Sequence, residues 1–125
     1  GASCSLDYLF KFEYHVPYKD IGSENEICGT LIGHASESFQ TKLVPDEISE
    51  VKWLSSDELY SDMEKNPQIY CPWMIVALYL LPESEKEMMK KHSQVLSKWG
   101  DPKFKTALEK SLNYHFPTNS WRLAN

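Results

Sequence analysis

Two acidic side chains two residues apart, Glu24 and Glu26 in Glu24-Asn25-Glu26, are the residues of this chain whose spacing most suggests chemistry. On an extended strand, residues i and i+2 point to the same face, roughly 7 Å apart at the backbone. At that separation two carboxylates can share one divalent cation through their oxygens. Without a cation, like charges resist joint ionisation, and one carboxyl keeps its proton beside an anionic neighbour. The pair thus reads as metal ligands, or as one proton donor beside one anion. A solvent-facing pair is the commoner outcome for glutamates on a strand. Against it, Cys28 and Ile32 continue the same face with apolar side chains, as the wall of a pocket would.

Other candidates carry less. His15 and His34 stand at strand ends, without the close pairing a zinc site needs. Cys28 reads as a small core residue. Cys71, just before Pro72-Trp73, would gain thiolate character from a helix N-terminus but has no histidine near it in sequence. Trp73 is either a core anchor or a ring face that stabilises a cation. The sequence contains no Gly-rich phosphate loop, GxSxG or HExxH, and no basic cluster adjoins the acidic pair. The front half therefore offers no grip for a diphosphate.

The elements that must position these residues follow from periodicity. Leu6, Tyr8, Phe10, Phe12 and Tyr14 alternate with other residues in the period-2 signature of a strand that His15-Val16-Pro17 ends. Tyr18 to Ser23 reads as a connection and Glu24 to His34 as the second strand of an antiparallel hairpin. On that strand Glu24, Glu26, Cys28, Thr30 and Ile32 share one face, while Gly29 and Gly33 suggest close backbone approach or a bulge. Ile48 to Leu54 is a short third strand. Ser55 and Glu58 have capping-box spacing, which predicts a helix from there to about Lys65, broken by Asn66-Pro67. Pro72 opens a nearly all-apolar helix through Leu81, predicted to be largely buried.

Beyond Pro82 the pattern predicts two amphipathic helices. The first carries Met88, Met89, His92, Val95, Leu96 and Trp99 and stops at Gly100. The second is capped by Asp101-Pro102 and buries Phe104, Ala107, Leu108 and Leu112. Pro117 to Asn125 reads as irregular apart from Trp121.

With 125 residues, 42% hydrophobic and 13% aromatic, the chain has enough apolar surface for a real core. The net charge of -5 argues against nonspecific binding to nucleic acid. Residues 1–82 hold 13 acidic and 5 basic side chains, whereas residues 83–125 hold 5 and 8, so an acidic front half meets a basic rear. No run of about 18 apolar residues exists to span a membrane, and no basic n-region with an apolar stretch marks a secretory leader. Three cysteines, Cys4, Cys28 and Cys71, in no paired spacing suggest a reducing, cytoplasmic setting.

The succession Phe12-Glu13-Tyr14, Glu24-Asn25-Glu26-Ile27-Cys28, Pro45-Asp46-Glu47-Ile48 with Glu50 and Trp53, Glu58-Leu59 and Pro72-Trp73-Met74 resembles the C-terminal half of type I isopentenyl-diphosphate isomerases, enzymes of the Nudix fold. The resemblance spans roughly residues 3–81. It implies an α+β domain with a Nudix-like mixed or antiparallel sheet and flanking helices over 1–82, and a helical extension over 83–125. It also implies interconversion of isopentenyl and dimethylallyl diphosphates, by protonating an alkene to a tertiary carbocation and removing a proton from the other side.

In that family's terms Glu26 resembles the catalytic glutamate that also binds the divalent metal, and Glu24 its companion ligand. Tyr14 resembles the tyrosine assisting proton delivery, and Trp73 the indole near the carbocation. The implied metal is Mg2+, with Mn2+ or Zn2+ as alternatives at Glu24 and Glu26. The implied partner is a small diphosphate substrate. The family's cysteine, its metal-binding histidines and its diphosphate-holding basic residues belong to an N-terminal half that does not precede Gly1, so the isolated chain is expected to be incomplete and inactive. Two other readings stay open: a Nudix hydrolase relative acting on another diphosphate, and a non-catalytic binding domain. Whether the basic rear packs on the acidic front or serves a partner also stays open.

Overall fold

A computed structural model describes residues 5–18, 22–35, 52–118 and 120–124; the side chains of 16–18 and 22–25 lie outside that description. The architecture is mixed helix and sheet. Strands β1 (Leu6–Tyr18) and β2 (Gly22–Gly33) form a long antiparallel hairpin. Helices α1 (Ser56–Lys65), α2 (Pro72–Leu80), α3 (Lys86–Lys91), α4 (Ser93–Leu96) and α5 (Pro102–His115) follow, and β3 (Trp121–Ala124) returns to pair antiparallel with β1. The sheet order is β2-β1-β3, so β1 is its central strand. The expected strand from Ile48 lies largely outside the described residues, and 52–54 are not in a strand.

The hairpin is longer than its sequence signals suggest. β1 runs through Pro17 to Tyr18 because β3 pairs only as far as Tyr14. Pro17, which has no N–H to donate, lies past that pairing. The expected single face of β1 is also broken. A register shift between Tyr8 and Phe10 leaves Leu6 and Tyr8 more than half exposed and turns Leu9 inward with Phe10, Phe12 and Tyr14. Asp7, two residues before Leu9, therefore sits on the inner side. The irregularity is in β1, not at the glycines of β2: a Cβ on Gly29 would stand 3.7 Å from the Tyr8 ring, an ordinary contact.

The helical part begins as its caps predict. Ser55 and Glu58 form a reciprocal capping box on α1, and Pro72 opens α2, which buries Ile75, Val76 and Leu80. Asp101 accepts from the Lys103 N–H to start α5, whose buried Phe104, Ala107, Leu108, Ser111 and Leu112 make one apolar stripe. The stretch expected as one helix up to Gly100 is instead α3, α4 and a 3₁₀ turn, broken at His92. There the backbone leaves helical geometry and the imidazole is buried against the sheet.

One core joins these pieces. Phe12 and Tyr14 of β1 pack with Met63 of α1, Ile75 and Val76 of α2, and Leu96, Phe104, Leu108 and Phe116 from the rear of the chain. The basic rear therefore packs on the acidic front. Lys91 pairs with Asp7 at 2.8 Å, Lys103 with Asp57 at 3.2 Å, and Arg122 with Glu13. The tail expected to be irregular contributes β3, extended by a His15 N–H donating to the Ser120 carbonyl at 2.8 Å. Among the described residues, no helix is long and apolar enough to cross a membrane.

Candidate functional site

Tyr14 and Glu26 are register partners on β1 and β2, which puts their side chains on the same face of the sheet. The buried Tyr14 points its hydroxyl outward, and Oη donates to Glu26 Oε2 at 3.0 Å. The Tyr14 ring is held by stacking on Trp73 (centroids 6.0 Å apart, 29° between planes) and by the edge of Phe116 at 6.4 Å. Trp73, in the first turn of α2, is 41% exposed, so part of its ring remains open to a ligand. Three of the four residues singled out in the sequence thus meet at Tyr14. Glu24 lies two residues from Glu26 and opposite Val16 in the ladder, but its side chain is outside the described residues.

Cys28, opposite Phe12, continues the same face and packs against the core. Burial pushes its thiol up, and the nearby Glu26 carboxylate adds to the effect against a hydrogen bond with Tyr14. At neutral pH it is a protonated thiol beside a carboxylate, not a nucleophile. Cys71 is the exposed N-cap of α2. Among the described residues, no group of three or more His, Cys, Asp or Glu side chains is placed to hold a metal ion.

A cleft of about 560 Å³ opens beside this constellation. Glu13, Tyr14 and His15 of β1, Glu26 and Ile27 of β2, and Ser120, Trp121 and Arg122 of the tail line it. Trp73 is not among them; the indole at the cleft is Trp121, which also meets Tyr79 edge-on at 5.5 Å. Ser120 Oγ donates to the His15 carbonyl at 2.7 Å, tying tail to rim. Sequence reasoning missed Ser120 and Arg122 as site residues, and the only local signal was the alternation Trp121-Arg122-Leu123, too short for a strand assignment by itself.

A second polar constellation sits at the far end of the hairpin. His92, with 3% of its side chain exposed, has Nε2 2.7 Å from Asp7 Oδ2 and Nδ1 2.8 Å from His34 Nε2. The Lys91 ammonium and then His92 hold the Asp7 carboxyl below its usual value, so it is ionised at neutral pH and can only accept. His92 Nε2–H therefore donates to Asp7, and His92 Nδ1 shares a hydrogen bond with His34 Nε2. The array fastens the break between α3 and α4 to both strands of the hairpin.

No family model matches the chain, and no solved structure matches it. Among curated proteins, it is 28% identical over 76 residues to the isopentenyl-diphosphate Delta-isomerase of Ruegeria pomeroyi, covering 58% of this chain and 41% of that protein. It is 31% identical over 70 residues to the enzyme of the same name from Dinoroseobacter shibae (54% and 39%), and 32% over 79 residues to that of Halobacterium salinarum (58% and 34%). The chain spans about two fifths of the length of the curated relatives it matches. Over rather more than half of its own length, this chain is similar to isopentenyl-diphosphate Delta-isomerases.

Proposed function

We propose that this chain carries one side of the proton-transfer site of an isopentenyl-diphosphate isomerase built on a Nudix-like fold. The observation that supports it most is the Tyr14 hydroxyl donating to Glu26 at 3.0 Å, with the Trp73 ring stacked on the other side of Tyr14. Moving an alkene needs a positioned acid and a face of electron-rich groups toward the transient tertiary cation. Glu26, as its acid form, delivers the proton to the terminal alkene carbon. Tyr14 Oη–H orients the carboxyl oxygens and returns a hydrogen bond to the carboxylate that results. The faces of Trp73 and Tyr14 stabilise the cation. The base that takes a proton from the opposite face of the substrate is assigned to the isomerase segment with no counterpart here.

Glu24 and Glu26 are the proposed carboxylate ligands of a divalent cation, Mg2+ or alternatively Mn2+ or Zn2+. Among the described residues no group of three or more candidate ligands includes Glu26, so further ligands would come from elsewhere. When bound, such an ion would lower the cost of gathering carboxylates around the reacting alkene.

The experiment supplies the rest of the Ruegeria pomeroyi isomerase in trans and follows the conversion of isopentenyl to dimethylallyl diphosphate. Turnover is expected with the wild-type chain, falling about 10²- to 10⁴-fold for Glu26→Gln with an unchanged melting curve. Turnover of E26Q at the wild-type rate would remove Glu26 from its role. Release of inorganic phosphate in place of the allylic product would favour the hydrolase reading.

A further inference from the structure

The row of side chains that pairs Glu26 with Tyr14 does not stop at β1. Trp121 of β3 is the register partner of Tyr14 on its other side, so Glu26, Tyr14 and Trp121 stand abreast across the three strands on one face of the sheet. In the next register the His15 N–H donates to the Ser120 carbonyl at 2.8 Å. Hydrogen-bonded and non-hydrogen-bonded pairs alternate along an antiparallel ladder. Tyr14 and Trp121 are therefore a non-hydrogen-bonded pair, the kind whose side chains approach most closely. The indole is itself fixed. Tyr79 of α2 meets it edge-on at 5.5 Å, while Trp73 of the same helix stacks on the Tyr14 ring at 6.0 Å. One helix thus seats both neighbours in the row, and Trp121 adds a flank that lies across β1 from Glu26. The isomerases described above match over 70 to 79 residues, too few to take in both Glu26 and Trp121. This flank comes from a part of the chain that their similarity does not tie to Glu26.

We propose that Trp121 is a positioning residue for the proton-transfer pair: from the strand beside Tyr14 its indole keeps the phenol ring turned toward β2, so that the hydroxyl stays on Glu26. A tyrosine hydroxyl is placed only when both side-chain torsions are fixed, and a bulky cross-strand neighbour removes the swing of the ring away from β2. The role in turnover rests on the isomerase reading; the hold on the hydroxyl does not. A misplacement of about 1 Å at a reacting group costs a large part of a rate, so a residue that touches no substrate can still govern the reaction. β3 has fastenings besides this side chain. Ser120 Oγ donates to the His15 carbonyl at 2.7 Å and Arg122 pairs with Glu13, so the strand keeps them when the indole is replaced.

The test is carbon-13 NMR of the full chain with tyrosine labelled at Cζ, whose resonance responds to the hydrogen bond of the hydroxyl. Tyr14→Phe identifies the Tyr14 signal, and Glu26→Ala shows where it moves when the acceptor is gone. Trp121→Leu is expected to move the signal most of the way to that position in a chain that still melts cooperatively, and Trp121→Phe to leave it near wild type. Tyr79→Leu, which frees the indole without touching β3, should move it in the same direction. Reconstituted turnover should fall about tenfold in W121L and no further when W121L is added to Y14F. A wild-type Cζ position in both W121L and Y79L would overturn the proposal. So would a turnover loss that W121L imposes equally on Y14F, because Trp121 would then be packing alone. The isomerase reading fails separately. A Cζ signal moved by W121L, without turnover by the reconstituted wild-type enzyme, sinks that reading alone; turnover lost in E26Q, with the signal unmoved by W121L and Y79L, sinks this one alone.

Discussion

At Tyr14 a single hydroxyl separates packing from chemistry. Tyr14→Phe keeps the ring against Trp73 and Phe116 but removes the donor to Glu26. Stability should change by less than about 1 kcal/mol, while reconstituted turnover falls about ten- to a hundredfold, as loss of a hydrogen bond to a charged group predicts. A variant equally impaired in melting and turnover would reduce Tyr14 to a packing residue. His92 makes the opposite case. Its two ring nitrogens are both engaged inside the protein, so His92→Ala should cost about 1–3 kcal/mol in denaturant unfolding. Nitrogen-15 spectra should report a proton on His92 Nε2; a bare Nε2 would contradict the bond to Asp7. Beyond a histidine at an apolar helical position, no residue pattern hints at this pairing, because Asp7 and His92 meet only through the tertiary fold.

Among the elements, α5 and the hairpin were the most legible, and the reason is periodicity. Phe104, Ala107, Leu108 and Leu112 bury as their spacing predicts, and Glu26 and Cys28 share a face as alternation requires. The shift between Tyr8 and Phe10 was not legible, since a strand with apolar residues at both Leu9 and Phe10 reads equally well in either phase. β3 was missed for a related reason. Four residues acquire strand geometry from their partner, not from their own pattern. One element carries a correctable defect: Ser111 Oγ in α5 is buried without a hydrogen-bond partner among the described residues. Ser111→Ala should stabilise the chain by about 1 kcal/mol, combining relief of an unpaired hydroxyl with better helix propensity. A fall in the unfolding midpoint would show that the hydroxyl has a partner in solution.

Across the whole molecule, the change of charge sign along the chain resolves into internal pairing, but exposed pairs contribute little each. The apolar surface supplied by Leu96, Trp99, Phe104, Leu108, Leu112 and Phe116 is the larger stabilising contribution. Truncation after Pro82 should therefore abolish a cooperative melt, whereas raising salt to 1 M should move the midpoint by only a few degrees. A truncated chain that melts cooperatively would mean that residues up to 82 fold alone. Acid should act through Asp7, Asp57 and Asp62, all held below their usual value by hydrogen-bonded neighbours, chiefly Lys91, Lys103 and Tyr70. The stability they contribute is present above the ordinary carboxylate value of 3.8 and is lost as pH falls through their lower folded values. Asp7→Asn should lower the midpoint at pH 7 and flatten its decline between about pH 4 and 2; a decline as steep as wild type would exclude Asp7 as a contributor.

The pairing of Glu13 with Arg122 also spans 109 positions of sequence. A contact that distant closes late in folding, because the whole intervening loop must first be ordered. On the ribosome the hairpin can form early, but the cleft beside Tyr14 has no third wall until Trp121–Ala124 has been synthesised. Nascent chains would therefore bring Tyr14 and Glu26 together well before β3 closes the sheet beside them.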